Sequence, residues 1–233
     1  MTGWLYRYCR EIRVWAVFRV LIFAVVLCAG FRALAMLSAH DFSDKTVAQL
    51  LNLLEDKDRA VRVDAALYLG YRYRKPGIEI NPPTYKAQHP EFPLPSQVVP
   101  SLSEHLKLDS DYGVRIEAMR ALRDLMSCTN STSILSAGLD DTNAYVRIWT
   151  CSALIDIHHD HSQPLSTRVV PTLSESLSVD SSEEPTWLAA WIAGQLGGAG
   201  KALLPQLQAL RKHESSKVRH YAREAIKSIE HGR

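Results

Sequence analysis

Asp109-Ser110-Asp111-Tyr112-Gly113-Val114-Arg115-Ile116-Glu117-Ala118-Met119-Arg120-Ala121-Leu122 decides the fold, because its skeleton returns along the chain. A turn aspartate is followed by Val-Arg and then by small and aliphatic residues at helical spacing. The skeleton reads Asp56, Val61-Arg62, Ala65-Ala66, Leu69-Gly70, and again Asp141, Val146-Arg147, Cys151, Leu154. It returns as Val218-Arg219, Ala222, Ala225-Ile226, with a diverged copy at Asp180, Pro185-Thr186, Ala189-Ala190, Ala193-Gly194. Self-similarity of this period predicts an all-α solenoid, in which each helix pair buries its apolar face against its neighbours.

Five pairs are expected. Their first helices fall at Thr46–Glu55, Val98–Leu108, Thr132–Leu139, Val169–Leu177 and Ala202–Lys212. Pro100, Pro171 and Pro205 are expected in first turns, where backbone N–H groups have no intrahelical partner to lose. Val114 to Val146 is 32 residues, Val146 to Pro185 is 39, and Pro185 to Val218 is 33. Val61 to Val114 is 53, and the excess lies in an inserted loop, 74–96, with Pro76, Pro82, Pro83, Pro90, Pro93 and Pro95. So many prolines favour an extended loop, and insertions into solenoids are often where binding happens.

The array resembles HEAT repeats, specifically the bacterial type related to phycobilisome lyase repeats. The resemblance covers roughly Asp44 to Glu230 and rests on the recurring Val-Arg and small-residue register. It implies a short right-handed solenoid of about five HEAT-like pairs. It leaves function open, since similar repeats serve as scaffolds, adaptors, lyase subunits and metal-dependent hydroxylases.

Within that register, Val61, Val114, Val146 and Val218 are expected between paired helices, and Ala65, Ala118 and Ala222 let helices approach closely. Arg62, Arg115, Arg147 and Arg219 lie at the helix edge, within reach of Asp56, Asp109 and Asp141 in the same or an adjacent repeat. Such a ladder would fix register along the stack. Pro185 and Thr186 break it in the fourth copy. Taking each valine as position zero, positions two, three and six point away from the core. They hold Asp64, Glu117, Trp149, Trp187, Trp191 and Tyr221, the candidate partner-binding residues. Packing is the competing reading for Trp187 and Trp191.

Composition narrows the function classes. Hydrophobic residues at 46% and charged residues at 22% describe a folded chain, which excludes disorder. Residues 1–39 carry five arginines and one acid, so the remaining 22 basic and 24 acidic side chains give no electrostatic case for nucleic acid. The apolar stretch from Val14 to Leu37, about 36 Å as a helix, follows Arg7, Arg10 and Arg13. It predicts an N-terminal hydrophobic helix in 1–39 and a membrane-anchored protein with an extracytoplasmic (periplasmic) repeat domain over 40–233. Cleavage as a signal peptide near Ala35 or Ala39, giving a secreted domain, is the alternative.

No catalytic constellation stands out. His158-His159-Asp160-His161 supplies no ligand from a second element, so no metal is expected. The stretch Gly194 to Lys201 lacks the glycine and hydroxyl that a phosphate loop needs at 195 and 202. Cys151 falls on an apolar helical position and reads as a buried thiol. The expectation is a non-catalytic protein-binding scaffold without cofactor or small-molecule substrate. A lyase-like subunit acting on a chromophore-bearing protein is the alternative, which the family resemblance alone suggests.

Overall fold

The structure is a computed structural model that describes residues 40–73, 95–126, 132–158, 167–178 and 182–231. The chain divides after Asp41, and Phe42–Arg233 forms the second unit. The second unit is all helical among the described residues. Its elements are α1 (Val47–Leu53), α2 (Arg59–Tyr73), α3 (Pro95–Leu108), α4 (Tyr112–Met126), α5 (Thr132–Leu135), α6 (Ala144–His158), α7 (Val169–Ser176), α8 (Glu183–Gln195), α9 (Leu204–Leu210) and α10 (Ser216–His231). A 3-10 helix at Ser136–Asp140 extends α5, and another at Gly197–Leu203 precedes α9.

Local chemistry starts these helices where the repeat pattern asks for them. Thr46 caps α1 in a reciprocal box: its hydroxyl accepts from the Gln49 amide at 3.2 Å, and Gln49 Oε1 accepts from the Thr46 amide at 2.8 Å. Pro171 and Pro205 lie in the first turns of α7 and α9. Pro100 does not, because α3 begins at Pro95, five residues earlier, and leaves Pro100 inside the helix. Pro95 itself has the fixed φ that suits a helix start, so the first turn forms before the expected one.

The ten helices make five pairs among the described residues, and the second helices form a row in which α2, α4, α6, α8 and α10 pack in sequence. Val114, Val146 and Val218 are wholly buried, as are Ala65, Ala118 and Ala222. Two junctions are especially close. A Cβ on Gly70 would lie 3.2 Å from Ala121 Cα, and one on Gly194 would lie 3.1 Å from Ala225 Cα. At that separation an added methyl would press on the neighbouring backbone, which would have to yield by a few tenths of an ångström, so glycine suits the close approach.

The localisation expected from the sequence needs correction. Among the described residues no helix is long and apolar enough to cross a membrane. The longest, α10, has 16 residues, about 24 Å against a hydrocarbon core of about 30 Å, and its outer face carries charge. The hydrophobic helix expected in 1–39 lies outside the described residues, as does the inserted loop apart from Pro95 and Ser96.

Candidate functional site

The turns between paired helices are built by the recurring aspartate and arginine. Arg62 donates from Nε and Nη2 to both carboxylate oxygens of Asp109, at 2.8 and 3.0 Å, and Arg115 does the same to Asp141, at 2.7 and 2.9 Å. The partner aspartate therefore comes from the following repeat. The remaining nitrogen, Nη1, turns back to its own loop, to the Asp56 carbonyl at 2.9 Å from Arg62 and to the Asp109 carbonyl at 2.8 Å from Arg115. Arg147 and Arg219 keep this backward grip, on the Asp141 and His213 carbonyls at 2.8 and 2.7 Å. Asp180, the sequence counterpart for Arg147, lies outside the described residues. Thr186 replaces the arginine in the fourth pair and donates to the Ser182 carbonyl at 2.9 Å.

Burial opposes ionisation of Asp109, yet the hydrogen bonds from Arg62, the Asp111 amide and His105, with the Arg62 charge, hold its carboxyl below the usual range. Hydrogen bonding to Asp141 raises the Arg115 pKa in turn. A second pattern, which the sequence reading missed, sits beside the first. Asp58, Asp111 and Asn143, each two residues after a turn aspartate, accept from the amides of Ala60, Gly113 and Tyr145 at 2.8, 2.8 and 2.9 Å, capping the second helices. The Asp-x-Asp/Asn spacing was its signal. In the last turn His213 replaces the aspartate, and its Nδ1 accepts from the Ser215 amide at 3.0 Å.

On the second helices, four of the six candidate residues join one aromatic network. Trp149 meets Trp191 edge to face with centroids 6.2 Å apart, and Trp187 lies 5.1 Å from Tyr221. Trp187 and Trp191 are one helical turn apart on α8, so the network runs from α6 to α10. Cations cap it: Arg120 lies 4.7 Å from the Trp149 centroid and Lys217 3.8 Å from that of Trp187. Glu117 enters from beneath, its carboxylate accepting from Arg120 at 2.6 Å. Burial pushes the Glu117 carboxyl up, against the pull of Arg120. Asp64 stands apart, buried in the array.

Two tyrosines that sequence reasoning passed over extend the face. Tyr112 and Tyr145 stack at 6.3 Å with 24° between their planes, at the N-terminal ends of α4 and α6. Tyr145 precedes Trp149 by one helical turn, which was the available signal. Across this face exposure is uneven: Tyr112 is 47% exposed and Trp191 40%, whereas Trp149, Trp187 and Tyr221 are half-buried.

No protein-family model matches the chain, and no curated protein does. Among solved structures, the complex of CpcE and CpcF of phycocyanin lyase from Nostoc sp. PCC7120 aligns with a TM-score of 0.52 at 20% identity, covering 79% of this chain and 65% of that one. The fold is HEAT-like. This chain thus spans 65% of the length of the structure it resembles. An engineered protein aligns over 80% of this chain and 99% of its own, at 17% identity and a TM-score of 0.36, too distant to bear on the site.

Among the described residues no three His, Cys, Asp or Glu side chains come together to hold a metal. Cys151 is buried, and desolvation pushes its thiol up to about 12, against the opposing charge of Arg147. A thiol so placed is a poor nucleophile. His159, Asp160 and His161 lie outside the described residues. The glycine-rich stretch after α8 forms the 3-10 helix at Gly197–Leu203, entered through Gly197 at φ 50°.

Proposed function

We propose that this chain is a non-catalytic binding module that holds a protein partner on the face of α4, α6, α8 and α10. One observation carries the reading: six aromatic side chains share that face, and Trp191 and Tyr112 remain substantially exposed on it. Large, stiff rings bury much area at small entropic cost, which is why they anchor protein interfaces. The arginine–aspartate rungs tie the turns before α4 and α6 to the preceding helices, which supports a face that binds with little reordering at that end. Likeness to a two-protein complex, CpcE with CpcF, agrees with a protein partner. Affinity capture with wild type and with Trp149→Ala/Trp191→Ala tests this. The double variant keeps its helical circular dichroism and loses the wild-type partners; identical captures from both folded proteins would overturn the proposal.

A second reading draws on the same likeness: a subunit of a lyase acting on a chromophore-bearing protein. Co-expression with a bilin pigment and its acceptor protein tests it. New visible absorption on the acceptor, dependent on this chain, would favour that reading over the first.

A further inference from the structure

Charge is divided sharply along the array. Phe42–Leu196 carries 14 Lys and Arg against 20 Asp and Glu, whereas Gly197–Arg233 carries eight against three. The aromatic face ends on this basic last pair. Lys217, 41% exposed above Trp187, has its nearest carboxylate at 3.8 Å in Glu184. Arg211 and Lys212, in the turn leading into α10, and Arg223 on α10 are exposed, and none forms an ion pair among the described residues. Glu224, which neighbours Arg223, is held by Lys227 at 2.8 Å.

Arg219 adds a more specific sign. In Arg62 and Arg115 the Nε–Nη2 edge clasps both oxygens of a carboxylate at 2.7–3.0 Å. In Arg219, Nη1 makes the same backward bonds, 2.7 and 2.6 Å to the His213 and Glu214 carbonyls, but the Nε–Nη2 edge has no hydrogen-bond partner among the described residues. The same side chain, held by the same loop grip, thus presents the fork that elsewhere takes an aspartate.

We propose that the partner bound here is an acidic protein segment whose carboxylates lie over Arg211, Lys212, Arg219 and Arg223. This rests on the protein-binding reading and adds the partner's chemistry to it. Opposite charge on the two surfaces speeds encounter and fixes orientation.

The probe is fluorescein-labelled poly(Glu,Tyr) copolymer, followed by anisotropy with the full chain. Binding is expected, weakening at least about tenfold as salt rises from about 50 to about 300 mM, because exposed charge pairs are screened over a shorter Debye length. Arg211→Glu/Lys212→Glu/Arg223→Glu should weaken it by about tenfold or more, equivalent to about 1.4 kcal/mol, with an unchanged melting temperature because these exposed side chains make no ion pairs among the described residues. Equal affinity for poly(Lys,Tyr) would overturn the proposal, as would displacement by poly(A) RNA at equal or lower concentration. If the charge reversals leave binding intact while Trp191→Ala abolishes it, the acidic partner is wrong and the aromatic docking face stands. If the probe binds neither wild type nor variant, the acidic partner fails, and the capture experiment with Trp149→Ala/Trp191→Ala judges the face separately.

Discussion

Asp109→Ala removes one rung of the ladder and leaves the rest intact. The Asp109 side chain, 4% exposed, accepts from Arg62 Nε and Nη2, from the Asp111 amide at 2.9 Å and from His105 Nδ1 at 3.3 Å. Its loss strands the Nε–Nη2 edge of Arg62, whose side chain is only 13% exposed. Breaking a fully buried pair from one side costs about 3–5 kcal/mol, and an exposed pair about 0–1 kcal/mol. With both partners largely covered, a cost of about 3 kcal/mol is expected, part of it offset where water reaches Arg62. In a domain of this size that lowers Tm by about 6–12 °C. Thermal unfolding followed by circular dichroism measures it, with Arg59→Ala as the comparison. Arg59 binds Asp111 at 3.0 Å across the same junction, but its side chain is 72% exposed, so its removal should leave Tm unchanged. Removing both charges, with Arg62→Met/Asp109→Leu, should recover part of the loss because no orphaned cation remains. Equal Tm shifts for Asp109→Ala and Arg59→Ala would refute the idea that burial gives the rung its strength.

Other consequences follow from the same packing. Gly194→Leu should unfold at clearly lower temperature, because its side chain would meet Ala225 backbone, whereas Gly198→Ala, with nothing within 4 Å, should not. Acid should loosen the array. The folded-state pKa of Asp109 lies below its unfolded value, so its contribution is present above about pH 4 and disappears as pH falls through the depressed value. Asp109→Asn should therefore flatten the Tm profile in that window, and an unchanged acid limb would count against the assignment. Cys151 should resist iodoacetamide at pH 8 in the native protein and alkylate on unfolding, as read by mass spectrometry of its peptide.

Architecture was legible because the ladder residues repeat in sequence at the period at which they stack in space. Arg115 and Asp141 perform the same task as Arg62 and Asp109, so recurrence alone pointed to the interaction. What recurrence left open was which neighbour each arginine chooses, since an aspartate six residues before it and one a repeat later are equally regular in the chain. The bidentate geometry selects the later one because Nη1 is already committed to the near turn's carbonyls. Pro100 was misplaced for a related reason: the duplicated Val-Val-Pro motif suggested equal helix starts, but Pro95 offers an earlier start that Pro171 lacks. Asp64 and Tyr112 mark the limits of counting positions from the valine. The first lies buried although its offset equals that of Trp149, and the second is exposed although it precedes the helix core. Offset fixes a direction from one helix, while burial depends on what the neighbouring repeat brings to it.

The aromatic residues divide between packing and recognition by what each already touches. Trp187 is capped by Lys217 and abuts Tyr221, so it is committed to joining α8 and α10. Trp149 is similarly enclosed, with Arg120 over its ring and Trp191 at its edge. These contacts flank the fourth pair, where Thr186 stands in place of an arginine and no rung forms from that position. Ring packing there supplies cohesion that the ladder supplies at Asp109 and Asp141. Trp191 is different, with 40% of its surface open and one ring partner, Trp149, among the described residues. A side chain needed only for cohesion would gain by covering that area, at about 25 cal/mol for each Å² withdrawn from water. The exposed ring is therefore the one whose truncation should weaken partner binding more than stability, and Trp187→Ala should do the reverse.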